Sequence, residues 1–168
     1  MKASARLHFR DLTTKDTTAL IQIYSEVEAM KFRANPPVLN TEDALNMIEQ
    51  AVQEGLEFTS KRWAVVRKDN EQLIGTFVLS YNKQNYNKQN STCTIGYSIG
   101  KKSWNKGYGK ELLKAMIEAI KGTNCTLIKA FVHPQNLASI SLLEKQHFYK
   151  LDANASKNLL TYCLNISL

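Results

Sequence analysis

No apolar run in these 168 residues approaches the roughly 18 that a membrane-spanning helix requires. The opening stretch, Met1 to Leu12, has neither the apolar region nor the cleavage site of a secretory signal. A membrane partner is therefore not expected, and the cytoplasm is the expected compartment. Cysteine is scarce and odd in number: Cys93, Cys125 and Cys163 lie in or beside apolar strand-like segments, where a small buried thiol is the ordinary occupant. All three are read as structural. Two well-known phosphate loops are also missing. A Walker loop needs Gly-Lys followed by Ser or Thr, whereas Gly107 is followed by Tyr108; a dinucleotide fingerprint needs a third glycine where Leu112 stands. Nucleotide hydrolysis and hydride transfer are thereby disfavoured.

The one compositional excess is basic charge, with 22 Lys and Arg against 15 Asp and Glu and a formal net charge of +7. Such a balance can draw nucleic acid, a membrane surface or an acidic substrate. The lysines are scattered, however, and no recognition helix or aromatic platform accompanies them, so nucleic acid is not expected as a partner. The only close pair, Lys101 and Lys102, precedes a glycine loop, where a phosphate-bearing ligand accounts for it equally well.

With 43% hydrophobic residues, the chain can build one core, and a single domain over 1–168 is expected. Period-two alternation through Leu7, Phe9 and Asp11 predicts a first strand over Ala5 to Leu12. A helix capped by Thr14 follows, with Leu20, Ile21, Tyr24 and Val27 at helical spacing and Pro36–Pro37 as a break. A second helix starts near Thr41, with Glu42 and Asp43 in its first turn, an apolar face of Ala44, Leu45, Ile48, Ala51 and Val52, and an end at Gly55. Strands are predicted at Trp63–Arg67, Leu73–Leu79 and Cys93–Ile99. The pentapeptide YNKQN, repeated over 81–90, is read as an extended hairpin tip. A strongly amphipathic helix follows Gly107 and ends at Gly122; Leu127–Val132 reads as a buried strand, and Asn136 opens a further helix through Lys145. Two short strands complete an α/β fold with a mixed sheet of six or seven strands and about four helices, ordered β-α-α-β-β-β-α-β-α-β-β.

The stretch IGYSIGKKSWNKGYGKE, Ile95 to Glu111, carries the most chemistry because it puts glycines between a strand and a strong helix. Gly107 and Gly109 permit close backbone approach, and the free N–H groups of a first helical turn point at any anion placed there. Lys106 and Lys110 add positive charge.

These residues resemble the GNAT superfamily of acetyltransferases, whose pyrophosphate loop reads Q/R-x-x-G-x-G/A at the start of the helix after the fourth strand. Here Trp104-Asn105-Lys106-Gly107-Tyr108-Gly109 stands in that place. Tryptophan at the first position resembles the branch of ribosomal-protein amino-terminal and spermidine acetyltransferases. Asn136-Leu137-Ala138-Ser139 and Glu144-Lys145-Gln146-His147-Phe148 resemble that branch's N-x-x-S and E-K-x-G-F, with His147 in place of glycine. The resemblance implies acetyl-CoA as co-substrate, no metal, and an amine acceptor. It implies that the backbone of Ile99 and Lys101 contacts the pantetheine arm, that Lys106, Gly107, Tyr108, Gly109 and Lys110 hold the pyrophosphate, and that Asn136 meets the pantetheine or thiol end. Lys145 is a further candidate for the nucleotide phosphates. Plain helix capping by Asn136 and a solvated Lys145 stay open as alternatives.

Direct acyl transfer needs a neutral amine, a donor for the developing oxyanion and a proton for the leaving thiolate. The glutamate that many GNAT enzymes carry on the fourth strand is replaced by Thr94, and their tyrosine before the Glu-Lys pair by Leu143. Ser139 is then the candidate proton donor, and His133, at the carboxyl end of the predicted fifth strand, the candidate acid or base. A weakly equipped site suits an α-amine, neutral in roughly a fifth of molecules at physiological pH, better than a lysine amine, neutral in about one in a thousand. A peptide or protein amino terminus is the expected acceptor. A polyamine or other small amine, or a non-catalytic acyl-CoA-binding module, remains the alternative, and monomer and homodimer stay equally open.

Overall fold

The computed structural model describes residues 3–33, 35–81, 91–151 and 159–166. Seven strands form one mixed sheet: β1 (Leu7–Arg10), β2 (Ser60–Arg67), β3 (Leu73–Tyr81), β4 (Ser91–Ile99), β5 (Cys125–Val132), β6 (Tyr149–Leu151) and β7 (Leu160–Asn165), in spatial order β1-β2-β3-β4-β5-β7-β6. Only β4 and β5 run parallel; every other pair is antiparallel. Five α-helices accompany them: α1 (Thr17–Tyr24), α2 (Val27–Met30), α3 (Thr41–Leu56), α4 (Tyr108–Lys121) and α5 (Leu137–Glu144). The fold is α/β with a mixed sheet, as the sequence predicts, with one short helix more than expected.

Alternation along the strands splits the core in two. On one face Val65, Phe77, Leu79, Cys93, Ile95 and Ile128 pack with the apolar stripe of α4, Leu112, Leu113, Met116, Ile117 and Ile120. On the other, Ala64, Val66 and Leu73 meet Leu20, Ile23 and Tyr24 of α1 and Ala44 and Ile48 of α3. The stripe of α4 recurs at three- and four-residue spacing, so burying it supplies the driving force that seats the helix across the sheet.

Several local expectations are corrected. The first helix ends at Tyr24, and Val27, assigned to its apolar face, is 81% exposed at the start of a separate turn of helix. In α3 the buried edge is centred on Ala44 and Ile48, with Met47 and Ala51 beside them. Leu45 and Val52 are exposed because each lies about 100° around the helix from the centre of that edge. Thr14 does not cap α1: it opens a 3-10 turn over Thr14–Asp16 that Thr13 caps, its N–H and hydroxyl both donating to Asp16, and Asp16 is the residue that precedes α1. The cysteines differ from expectation most clearly. Cys93 and Cys125 are diagonal neighbours on the parallel strands, with Cα atoms 6.1 Å apart, and are joined as a disulfide; only Cys163 is a free buried thiol. Their shared strand face brings the two sulfurs together, a relation that spacing along the chain does not reveal. Most of the YNKQN repeat lies outside the described residues, and Tyr81 closes β3. Among the described residues no helix is long and apolar enough to cross a membrane.

Candidate active site

The parallel ladder stops before its strands do. Pairing between β4 and β5 ends at Ile95 and Ala130, although β4 continues to Ile99 and β5 to Val132. Beyond that point a seam opens in the middle of the sheet. The Gly100 N–H donates to the Ile74 carbonyl at 2.8 Å, so strict alternation turns the main-chain groups of Gly96 and Ser98 toward β3 and those of Tyr97 and Ile99 into the seam. A cavity of about 900 Å³ occupies this opening and reaches both faces of the sheet.

At one side of the cavity stands the N-terminus of α4. Gly107 caps it in the left-handed region, φ 79°, and no side chain satisfies the first turn. The first backbone bond of the helix runs from Glu111 N–H to the Gly107 carbonyl, leaving the N–H groups of Tyr108, Gly109 and Lys110 directed out of the helix end. Gly109 lines the cavity, and a β-carbon there would come within 3.2 Å of Leu142 on α5. Glycine at this position therefore serves helix packing as well as access. Sequence reasoning missed Arg6, whose guanidinium lies 4.5 Å from the centre of the Tyr108 ring and donates to the Lys106 carbonyl at 3.0 Å and to Glu111 at 2.7 Å. It ties β1's approach to the glycine loop and adds a cation beside it. No motif marks it, since its partners lie a hundred residues away.

The catalytic candidates come together around the same seam. Asn136 caps α5 by accepting the Ser139 N–H at 3.1 Å, which fixes Ser139 in the first turn. The Ser139 hydroxyl lies 2.9 Å from the hydroxyl of Tyr97. Burial pushes the Tyr97 phenol up to about 12, against a smaller lowering by Ser139. The phenol is therefore neutral at physiological pH, with its proton available to Ser139. Nothing in the sequence singles out Tyr97, which reads there as an ordinary aromatic in a strand. His133 lines the cavity at the end of β5, stacked on Phe32 with ring centres 5.1 Å apart. Its Nδ1 accepts the Gln135 N–H at 3.2 Å, so the neutral ring carries its proton on Nε2 and acts there as a donor.

Of the other predicted residues Ile99 borders the cavity, whereas the side chains of Lys101, Lys106, Tyr108 and Lys145 do not. The Lys101 side chain turns to Glu26 and Glu28 at 3.4 and 3.0 Å, and the Ile99 carbonyl accepts the Trp104 indole N–H at 2.6 Å. Trp104 thus braces the loop onto β4. Lys106 Nζ donates to the Lys102 carbonyl at 2.8 Å. Tyr108 is buried beneath Arg6 and Arg67, so only its backbone faces the loop. Lys145 ends α5, the opposite end of that helix from Asn136, and does not border the cavity.

An acetyltransferase (GNAT) domain family matches residues 6–149. A protein of Bacillus licheniformis named as the uncharacterized N-acetyltransferase p20 is 30% identical over 146 residues, 86% of this chain and 80% of that one. Among solved structures, RimL, a ribosomal L7/L12 alpha-N-protein acetyltransferase in complex with coenzyme A, superposes with a TM-score of 0.80 at 16% identity, covering 98% of this chain and 97% of that one. The microcin C7 self-immunity acetyltransferase MccE, in complex with acetyl-CoA and AMP, gives 0.80 at 17% identity, with 96% and 93% covered. At such identities the two structures speak for the fold alone. The family match and the Bacillus relative go further: this chain belongs to the GNAT acetyltransferases and is an N-acetyltransferase.

Proposed function

We propose that this enzyme moves the acetyl group of acetyl-CoA directly onto a primary amine, with a peptide or protein amino terminus as the acceptor and the cytoplasm as its place of action. The observation that carries the reading is the open β4–β5 seam, flanked by the N-terminus of α4, which no side chain caps, and by the Tyr97–Ser139 hydroxyl pair. The free N–H groups of Tyr108, Gly109 and Lys110 suit a pyrophosphate. The seam-facing main chain of Tyr97 and Ile99 suits the amides of a pantetheine arm, which would lie beside β4 as a strand does.

In the reaction the amine nitrogen attacks the thioester carbonyl, the C–N bond forms, the C–S bond breaks, the nitrogen releases one proton to solvent water and the thiolate takes one. Tyr97 donates to Ser139, which leaves the serine proton free to turn toward the sulfur. His133, protonated on Nε2, supplies a donor at the cavity wall. Glu28 is the only acidic side chain among the described residues lining the cavity, and it is held by Lys101. Thr94 cannot serve as a base. An acceptor whose own pKa lies near 8 needs the least help under these conditions.

The test compares a peptide with only its amino terminus free, the same peptide blocked there and carrying one lysine, and spermidine, all at equal acetyl-CoA. The free terminus is expected to react fastest. Preference for the blocked lysine peptide or for spermidine overturns the assignment, and acetyl-CoA binding with no turnover on any amine favours a non-catalytic module.

A further inference from the structure

On the face of the sheet opposite α4, the cavity contains two arginines that are ion-paired to no carboxylate among the described residues. Arg62 projects from β2 and Arg33 from the segment after α2, and both line the cavity. Neither forms a salt bridge among the described residues. Arg62 finds only neutral oxygens: Thr76 Oγ1 at 3.5 Å and the Tyr24 hydroxyl. Its burial pushes the guanidinium below its ordinary value, and the charge of Glu54, which bonds to Ser60 and Gln50 and forms no ion pair with Arg62, only partly opposes this. Arg33 lies 4.5 Å from the centre of the Tyr24 ring and donates to Ser98, while its Nε is buried without a partner. Two like charges held close in a partly desolvated wall, with donors to spare, repel one another until an anion arrives.

Strand register shows where that anion would sit. Arg62 pairs with Val78 and Val78 with Gly96, so the three form one row across the sheet, and Thr76 with Ser98 forms the next. Arg62 is thus two strand spacings, about 10 Å, from Gly96, where the seam begins. A β-carbon on Gly96 would meet nothing within 4 Å, so the floor between arginines and seam is bare. The α4 N-terminus lies on the other face, and the arginines are therefore not needed for a cofactor pyrophosphate.

Resting on the amine-acetylation reading, we infer that the acceptor carries an oxyanion, a carboxylate or a phosphate, which Arg33 and Arg62 hold while its amine reaches the seam at Gly96. The site thereby selects acidic amine acceptors over neutral or basic ones.

Three matched acceptor pairs test this: Ala-Asp amide against Ala-Asn amide, glycine against glycinamide, and phosphoethanolamine against ethanolamine. They separate a side-chain carboxylate, an α-carboxylate and a phosphate. Each pair is run on the wild type, Arg33→Gln and Arg62→Met, and the ratio of charged to neutral kcat/KM is compared between proteins, which cancels differences in amine basicity. For at least one pair the ratio should fall tenfold or more in Arg33→Gln, through KM, while acetyl-CoA affinity stays at the wild-type value. Arg62→Met repeats the test from the sheet, and acetyl-CoA affinity certifies that each variant is folded. Calorimetric binding of the three charged probes to the enzyme–CoA complex runs alongside and needs no turnover. Ratios unchanged in both variants, with no arginine-dependent binding of any probe, overturn the proposal. Turnover of no amine, with arginine-dependent binding intact, defeats the acetylation reading instead and leaves the anion site standing.

Discussion

The hydroxyls of Tyr97 and Ser139 meet at 2.9 Å, one from the strand that borders the seam and the other from the first turn of α5. If this pair returns the proton to the leaving sulfur, Ser139→Ala should lower kcat by about two orders of magnitude with little change in acetyl-CoA affinity. Tyr97→Phe keeps the ring but removes the donor and should cost about tenfold. The double variant should be no slower than Ser139→Ala, because the tyrosine acts through the serine. Additive losses in rapid-quench or steady-state assays would separate the two roles.

The pH profile follows from the same pair. Burial raises the Tyr97 phenol to about 12, so it is protonated throughout the working range and loses its proton only as pH climbs through that value. With an α-amine acceptor, kcat/KM should rise through an apparent pKa near 8, the amine's own, and then stay level to about pH 10. A fall below pH 10 would assign the proton to a different donor. The raised value also means that any stability from keeping this phenol neutral is fully present below about pH 10 and is lost as pH rises from there toward about 12.

At the glycine loop, Gly107→Asp and Gly109→Asp should each abolish measurable acetyl-CoA binding in calorimetry, since a carboxylate would both fill and repel the anion position. Gly107 has φ 79°, so any ordinary side chain there also costs about 1 kcal/mol of stability. Gly107→Asn separates the effects, because asparagine tolerates this backbone region: the melting temperature should recover while cofactor affinity remains reduced. The aspartate at position 109 would press on Leu142 as well, and a small loss of thermal stability should accompany its binding defect.

Far from the seam, Asp16 is 4% exposed and accepts two 2.7 Å bonds from Arg10 and one of 2.8 Å from the Thr13 N–H. Burial alone would raise its carboxyl, but Arg10 and Thr13 outweigh that and hold it below the ordinary range. Its contribution is therefore present above about pH 4 and lost as pH falls through the depressed value. Asp16→Asn should cost about 2 kcal/mol in urea melts at pH 7, and the gap between variant and wild type should shrink toward pH 2.

Much of this architecture was legible in the sequence because periodicity registers burial. The stripe of α4 and the β3 and β4 strands matched their predicted spans closely, and the α5 cap was read from Asn136. Partners across the sheet were harder to see. The Cys93–Cys125 bond depends on strand neighbours, and Arg6 on a bond to a helix a hundred residues downstream. Leu45 looked buried because it is apolar, yet its angle around α3 turns it to solvent. Within the site, the glycine loop and Ser139 follow from local motifs. Tyr97, Arg33 and Arg62 do not, since an aromatic or a cation in or near a strand carries no mark of function until its neighbours are known.

The early end of β4–β5 pairing gives the sheet two free edges inside its own body. An exposed strand edge invites an extended chain to add itself, and a linear diamide has the donors and acceptors to do so here. Ligand entry would then amount to completing a sheet that folding leaves unfinished. Hydrogen exchange should report it: the Tyr97 and Ile99 amides should exchange quickly in the free enzyme and slow on addition of acetyl-CoA, while those of Gly96 and Ser98, already spent on β3, should hardly change.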